Sequence, residues 1–254
     1  MIESPIVRLL RGAGERALGY WRTGPLDWRD KAPEAGAIDL VTEADLAVDR
    51  LITAELDRLH PGIPVLSEEG TWRPPSEGPA GDLFVLDPID GTHNFAQGTH
   101  WWTIALARAN NGVVEEGWLY QPSRQTLWHA TRGGGITRNG EAVTVTPAPV
   151  RHGLVSVSLS HQMLPLLLQA NRFAGIRALG SHAMCLAMVA DGSFMLHAGS
   201  GYPWDVAGGH LFVREAGGTV CTLDGRERSP WVREQTLSGS PACVEVAMEI
   251  FAGA

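Results

Sequence analysis

Leu83-Phe84-Val85-Leu86 is an apolar run that ends directly in Asp87-Pro88-Ile89-Asp90-Gly91-Thr92-His93-Asn94-Phe95. An apolar run of this length bounded by turn residues reads as a buried strand. The fold must therefore accommodate two carboxylates, three residues apart, at the inner end of a strand. Burying two like charges costs several kcal/mol unless cations compensate. A pair of hard divalent cations such as Mg²⁺ is the simplest solution, because such ions take oxygen ligands and one carboxylate can bridge two of them. Pro88 pushes Asp87 out of the helical region and fixes the turn. Gly91-Thr92 then opens a helix whose free amides and hydroxyl face whatever the metals hold, and an anion is the natural ligand. Asp with Gly at a strand end is also ordinary turn chemistry, so the metal reading depends on other acidic features joining this one.

Three further features are available. Ser67-Glu68-Glu69-Gly70 ends a short apolar run at 63–66, Trp204-Asp205-Val206-Ala207-Gly208-Gly209 opens a helix far downstream, and Thr42-Glu43-Ala44-Asp45 has capping-box spacing. Each has a plain alternative: Glu68 as a solvated loop residue, Asp205 as a helix N-cap, Asp45 as nothing more than the box acid.

Ser4-Pro5 predicts a helix start, with Ile6, Leu9, Leu10 and Trp21 on one face of a helix over 5–22. Leu46, Leu51, Ile52, Leu56 and Leu59 give a second apolar stripe that Pro61-Gly62 ends. From 101 to 145 the pattern turns to strands, with Asn111-Gly112 and Asn139-Gly140 as hairpin signals, which predicts an antiparallel meander. Pro147, Pro149 and Gly153 mark a composition break. Beyond it strands (156–160, 193–198, 218–222) alternate with helices (161–172, 181–190, 205–216, 243–252). The expectation is an N-terminal α+β sub-domain over 1–147 carrying most of the acidic set, and a C-terminal α/β sub-domain over 148–254 supplying Asp205.

Lys and Arg total 20 against 28 Asp and Glu, a net charge of −8. That balance repels phosphate backbones and anionic lipid, so nucleic acid and membrane surfaces are not expected partners. Cys185, Cys221 and Cys243 are odd in number and lie in apolar context, as reduced core residues do. The N-terminal stretch lacks the pattern of an export signal, and no apolar run approaches the roughly 18 residues of a membrane span. A soluble, cytoplasmic protein is expected.

Taken together, the motifs resemble a known family. Asp87-Pro88-Ile89-Asp90-Gly91-Thr92-His93-Asn94-Phe95 is similar to the D-P-[ILV]-D-G-T-x-N-F signature of the inositol monophosphatase family, part of the lithium-sensitive, magnesium-dependent phosphatases. Asp39 to Asp45, Glu68-Glu69 and Trp204 to Gly208 match the family's other motifs in order, over about residues 38–220. The resemblance implies a layered αβαβα sandwich of the sugar-phosphatase type, mixing α+β and α/β parts, with a phosphomonoesterase site between its halves. Glu68, Asp87 and the Ile89 carbonyl would hold one Mg²⁺; Asp87, Asp90 and Asp205 a second; Glu68 and waters a weaker third, with Mn²⁺ as an alternative ion. Gly91 and Thr92 amides would bind the phosphate. Thr92, oriented by Asp45, would receive a proton from the attacking water, with Glu68 also in the catalytic set. The expected partner is a small phosphorylated metabolite, and a homodimer is implied, for which Trp101-Trp102 offers an interface or a core pair.

The chain departs from the family pattern at four places. Glu34 stands where inositol-specific members carry Lys, with Lys31 three residues earlier; Ala198 stands where they carry Glu; His182 replaces Ala; and His93 replaces Thr or Ser. Ser181, His182, His197 and Tyr202 are therefore the candidate substrate wall. The expected substrate is a polyol, sugar, amino-alcohol or nucleoside monophosphate, with inositol phosphate weakened by Ala198 and histidinol phosphate or a specialised-metabolism sugar phosphate favoured. The alternatives are a catalytically silent metal- or partner-binding protein retaining the fold, and a metal-dependent hydrolase of a non-phosphate ester.

Overall fold

The computed structural model describes residues 3–23, 28–30, 40–71, 73, 78–158 and 164–252. Lys31, Glu34, Asp39 and residues 159–163 lie outside them. In chain order the elements begin with α1 (Pro5–Leu18), the antiparallel pair β1 (Trp28–Asp30) and β2 (Leu40–Thr42), and α2 (Glu43–Leu59). There follow β3 (Val65–Ser67), β4 (Asp82–Asp90), the short α3 (Thr92–Ala96), β5 (Thr103–Asn110), β6 (Val113–Gln121), β7 (Thr126–Thr131), β8 (Gly135–Arg138) and β9 (Glu141–Ala142). The C-terminal part holds β10 (Leu154–Ser158), α4 (Leu164–Ala170), β11 (Gly175–Arg177), α5 (His182–Ala190), β12 (Leu196–Gly199), α6 (Pro203–Glu215), β13 (Thr219–Thr222), β14 (Thr236–Gly239) and α7 (Pro241–Ala252).

Strands β3 to β9 form one sheet in sequence order, parallel only at β3–β4. The second sheet has the order β11-β10-β12-β14-β13, with β10 parallel to both neighbours. Alternation along β4 explains why its apolar run is continuous. Phe84 and Leu86 pack with Leu10, Val48, Ile52 and Leu56 of α1 and α2, whereas Leu83 and Val85 face Ala187, Leu211 and Phe212 of α5 and α6. The other side of α5 and α6 meets the second sheet through Leu186, Val189, Val206, Val213 and Val220. Leu167 of α4 and Val244, Ala247 and Phe251 of α7 close that sheet's outer face on Val155, Val157 and Leu237. The result is the αβαβα layering.

The Gly208-Gly209 pair lets α6 sit tightly in the middle layer. A Cβ at Gly209 would lie 2.4 Å from Leu186 Cδ1, and one at Gly117 on β6 would lie 3.1 Å from Gly208 Cα. Among the described residues no helix is long and apolar enough to cross a membrane.

Several boundaries differ from expectation. Helix α1 stops at Leu18, not 22: Gly19 caps it, Arg22 takes φ +61°, and Trp21 leaves the helix to stack edge-on against His100 at 4.9 Å. Strand β4 runs through both acids to Asp90 rather than ending before them. Helix α4 covers only Leu164–Ala170 of the expected 161–172, of which 161–163 are not described. Strands β1, β2, β11 and β14 were not expected. They are three or four residues long, too short for a period to register, and exist because neighbouring strands supply hydrogen bonds.

Candidate active site

Pro88 has no N–H to give the ladder, and the chain answers with a bulge. Asp87 pairs with Ala105 and Asp90 with Thr103, so that two residues of β4 oppose one of β5. The bulge keeps both carboxylates on the inner side. Asp87 Oδ1 accepts from the Ile89 N–H at 3.0 Å, which holds the turn. Gly91 follows in the left-handed region at φ +93°, where a Cβ would lie 2.7 Å from the Trp101 carbonyl oxygen. Only glycine fits this turn.

Asp90 ties the first sheet to α5 of the middle layer. Its carboxylate sits at the N-terminus of α5 and accepts the N–H groups of His182 (3.0 Å), Ala183 (3.0 Å) and Met184 (3.3 Å), together with the Ser181 hydroxyl and, at 3.4 Å, that of Thr103. Asp205 is at the third position of α6, so the plain alternative of an N-cap does not describe it; Tyr202 is the cap, and its N–H donates to Asp205 Oδ2 at 2.7 Å. Oxygens of Asp87, Asp90 and Asp205 lie within 4.8 Å of one another. Glu68 joins them from the end of β3, where its N–H donates to the Leu86 carbonyl at 3.0 Å.

Burial pushes the carboxyls of Asp87, Asp90 and Asp205 upward, Asp90 to about 6, and the negative charge of Glu68 adds to all three. Hydrogen bonds from α5 hold Asp90 back from a larger rise. Among the described residues none of the three forms an ion pair with Lys or Arg. Buried carboxylates that repel each other, with no cation among the described residues between them and only oxygen atoms on offer, are a donor set that fits a hard divalent ion.

Beside this cluster lies a second acid. Thr42 N–H donates to Asp45 Oδ2 at 2.8 Å, as does the Thr42 hydroxyl, completing the capping box of α2. The other carboxylate oxygen faces inward and lies 3.0 Å from Thr92 Oγ1, which is also 3.1 Å from the Ile89 carbonyl. Burial raises the Asp45 carboxyl against the lowering effect of these bonds. Asp45 is thus both helix cap and partner of Thr92.

The candidate substrate wall divides. Ser181 is buried with its hydroxyl on Asp90. His182 Nε2 lies 3.0 Å from His197 Nε2, and His197 Nδ1 lies 2.9 Å from Ser156 Oγ. His197 is wholly buried with both nitrogens engaged, so it stands behind His182 rather than on a free surface. Burial lowers both imidazoles, His182 to about 4 with the charges of Arg228 and Arg233 adding. Tyr202 is exposed, stacked on Trp204 at 5.0 Å, with its hydroxyl accepting from Arg233 Nη1 at 2.9 Å. Sequence reading missed Arg233, Ser156 and Thr103. Arg233 lies between β13 and β14 in a polar stretch with no motif, and only folding sets its charge near Asp205 and His182. Trp102 is fully buried against Phe95 at 4.8 Å, and Trp101 is half-buried.

Comparison with known proteins decides the family. The model of the inositol monophosphatase family matches residues 2–249. The chain belongs to that family. The fructose-1,6-bisphosphatase/inositol-1-monophosphatase of Thermotoga maritima is 32% identical over 237 residues, covering 91% of this chain and 89% of that protein. The Nus factor SuhB of Pseudomonas aeruginosa is 33% identical over 205 residues, covering 76% and 75%. Among solved structures, the Thermotoga maritima IMPase superposes with a TM-score of 0.86 at 28% identity, over 98% of this chain and 97% of that one. Members of the family are phosphoric monoester hydrolases, and this chain is one of them.

Proposed function

We propose that the chain hydrolyses a small polyol, sugar, amino-alcohol or nucleoside monophosphate by direct attack of water, with Mg²⁺ as cofactor. The reading rests on the convergence of Asp87, Asp90 and Asp205 within 4.8 Å, next to Thr92 at the head of α3 and its partner Asp45 on α2. Glu68, Asp87 and the Ile89 carbonyl form one set of metal ligands, and Asp87, Asp90 and Asp205 a second, for two or three ions in all. Bound there, the cation acidifies water and neutralises the phosphoryl oxygens. The protein's own residues do the rest. Gly91 and Thr92 present amides at the head of α3 to the phosphate. The Thr92 hydroxyl, donating to Asp45 Oδ1, leaves its oxygen free to take a proton from the attacking water, while the raised Asp45 carboxyl takes the one Thr92 releases. Ser181 holds Asp90 in place, and His182 and Tyr202 face the substrate with His197 bracing His182.

In this scheme residues 1–147 supply most of the ligands, and 148–254 supplies Asp205 and the substrate wall. We also propose a cytoplasmic homodimer. The retained cluster argues against a purely partner-binding protein: without a cation, buried carboxylates destabilise the fold and serve nothing.

The test is phosphate release from inositol phosphate, histidinol phosphate, fructose bisphosphate, nucleoside monophosphates and sugar phosphates, with Mg²⁺ or with chelator. Release from one class is expected, abolished by chelator and reduced at least about a hundredfold by Asp205→Asn. Full activity in chelator, or in Asp205→Asn, rules the scheme out.

A further inference from the structure

Away from the acidic cluster, at the C-terminal end of α6, lies a cavity of about 670 Å³ lined by Arg132, Arg214 and Arg228. Such a gathering of cations is unexpected in a chain with a net charge of −8. The two acids that also line it do not neutralise them. Glu215 spends its oxygens on the N–H groups of Gly133 and Gly135, at 2.8 and 2.9 Å. Glu227 is 3.7 Å from Arg214 with its side chain 89% exposed, a contact that water screens.

Within the protein Arg214 Nη2 donates to the Arg228 carbonyl at 3.3 Å, and Arg132 is the like charge that acts on it. Burial lowers the Arg214 guanidinium, and the neighbouring charge of Arg132 lowers it further against the opposing pull of Glu227. The Arg228 side chain is fully buried, yet none of its three guanidinium nitrogens has a hydrogen-bond partner among the described residues, and Glu234 stands 3.9 Å off. His210, also on the cavity wall, is buried with both ring nitrogens equally unpartnered. These nitrogens lie just beneath the cavity wall, where their unpaired polarity favours an acceptor nearby, while the accessible guanidinium groups of Arg132 and Arg214 present donors to the cavity itself. Trp231, its Nε1 donating to the Gly112 carbonyl at 2.7 Å, gives one wall an aromatic surface.

We infer that this cavity is a second ligand site, for a small metabolite bearing a diphosphate or two phosphate groups. Arginine forks match phosphate bidentately and suit several charges held close together. The volume is that of a pocket for a nucleotide-sized molecule. The inference does not depend on which substrate the acidic cluster takes.

Inorganic pyrophosphate, titrated calorimetrically into the full chain at low salt with chelator present, provides the test. Chelation removes divalent metal from the acidic cluster, so binding there is suppressed. Saturable one-to-one binding is expected, weakened about tenfold or more in Arg132→Gln/Arg214→Gln, intermediate in Arg214→Lys, and unchanged in Asp205→Asn. Should the double variant melt early, Arg132→Gln alone carries the readout, its side chain being exposed at the end of β7. Absence of saturable binding at millimolar pyrophosphate overturns the inference. So does binding that survives the arginine substitutions, or that disappears in Asp205→Asn.

Discussion

Removing divalent metal from this protein should cost stability in a pH-dependent way whose sign follows from the acidic cluster. The Asp90 carboxyl is raised from 3.8 to about 6. An acid whose folded value is raised favours the folded state most below its unfolded value, and that stability is lost as pH climbs from near 3.8 through about 6. A cation must displace the proton wherever one is held. At pH 7 roughly one molecule in eleven carries it on Asp90, and at pH 5 roughly ten in eleven. Mg²⁺ therefore binds about tenfold more weakly at pH 5, a loss of about 1.4 kcal/mol. For a chain of this size that corresponds to a Mg²⁺-induced rise in Tm smaller by about 3–6 °C at pH 5 than at pH 7. Asp87 and Asp205 shift the same way, so this is a lower bound. The assay is thermal unfolding with Mg²⁺ and with chelator at each pH, taking the difference. The subtraction matters because His182, His197 and His210 are buried with lowered values, His182 to about 4, and their contribution is lost as pH falls below 6.5. They act equally in both arms and cancel. A Mg²⁺-induced rise that is equal at the two pH values, or larger at pH 5, refutes the argument.

Thr92→Val removes the hydroxyl between Asp45 and the Ile89 carbonyl; kcat should fall about 10²–10⁴-fold, with far-UV circular dichroism unchanged. Gly91→Ala places a Cβ 2.7 Å from the Trp101 carbonyl at φ +93°, and should lower stability by about 1–3 kcal/mol in urea unfolding as well as reduce phosphate release. Among the described residues no carboxylate lies within ion-pair distance of Arg233, so Arg233→Met should raise KM for a substrate with a second anionic group more than for a singly phosphorylated one, leaving kcat near wild type; equal KM changes exclude that role. Trp102→Ala empties a fully buried site beside Phe95 and should cost about 3–5 kcal/mol by urea unfolding.

What the sequence determined by itself is local and short-ranged. The capping box at Thr42 and Asp45, the Asn-Gly hairpins of the meander and the left-handed Gly91 before Thr92 each depend on residues within a few positions of one another, and they stand where the spacing put them. The α2 stripe is met at Ile52 and Leu56 but not at Leu46, which is exposed because the buried face runs through Ala44, Ala47 and Val48. Four motifs in order were enough to place the family, and with it the layering. Tertiary structure decided everything that depends on long separations. It carried β4 through its acids by pairing Asp90 with Thr103 across a bulge, and it set Asp90 at the head of α5, some ninety residues on. It turned Trp21 out of α1 toward His100, and brought Arg233 to Tyr202 and three arginines to the far end of α6. It also made strands of β11 and β14, whose few residues have no period of their own. The physical reason is the same in each case. Periodicity and caps report what a segment does with its own backbone, whereas burial and charge are properties of what is packed against it, and that partner is chosen by the fold.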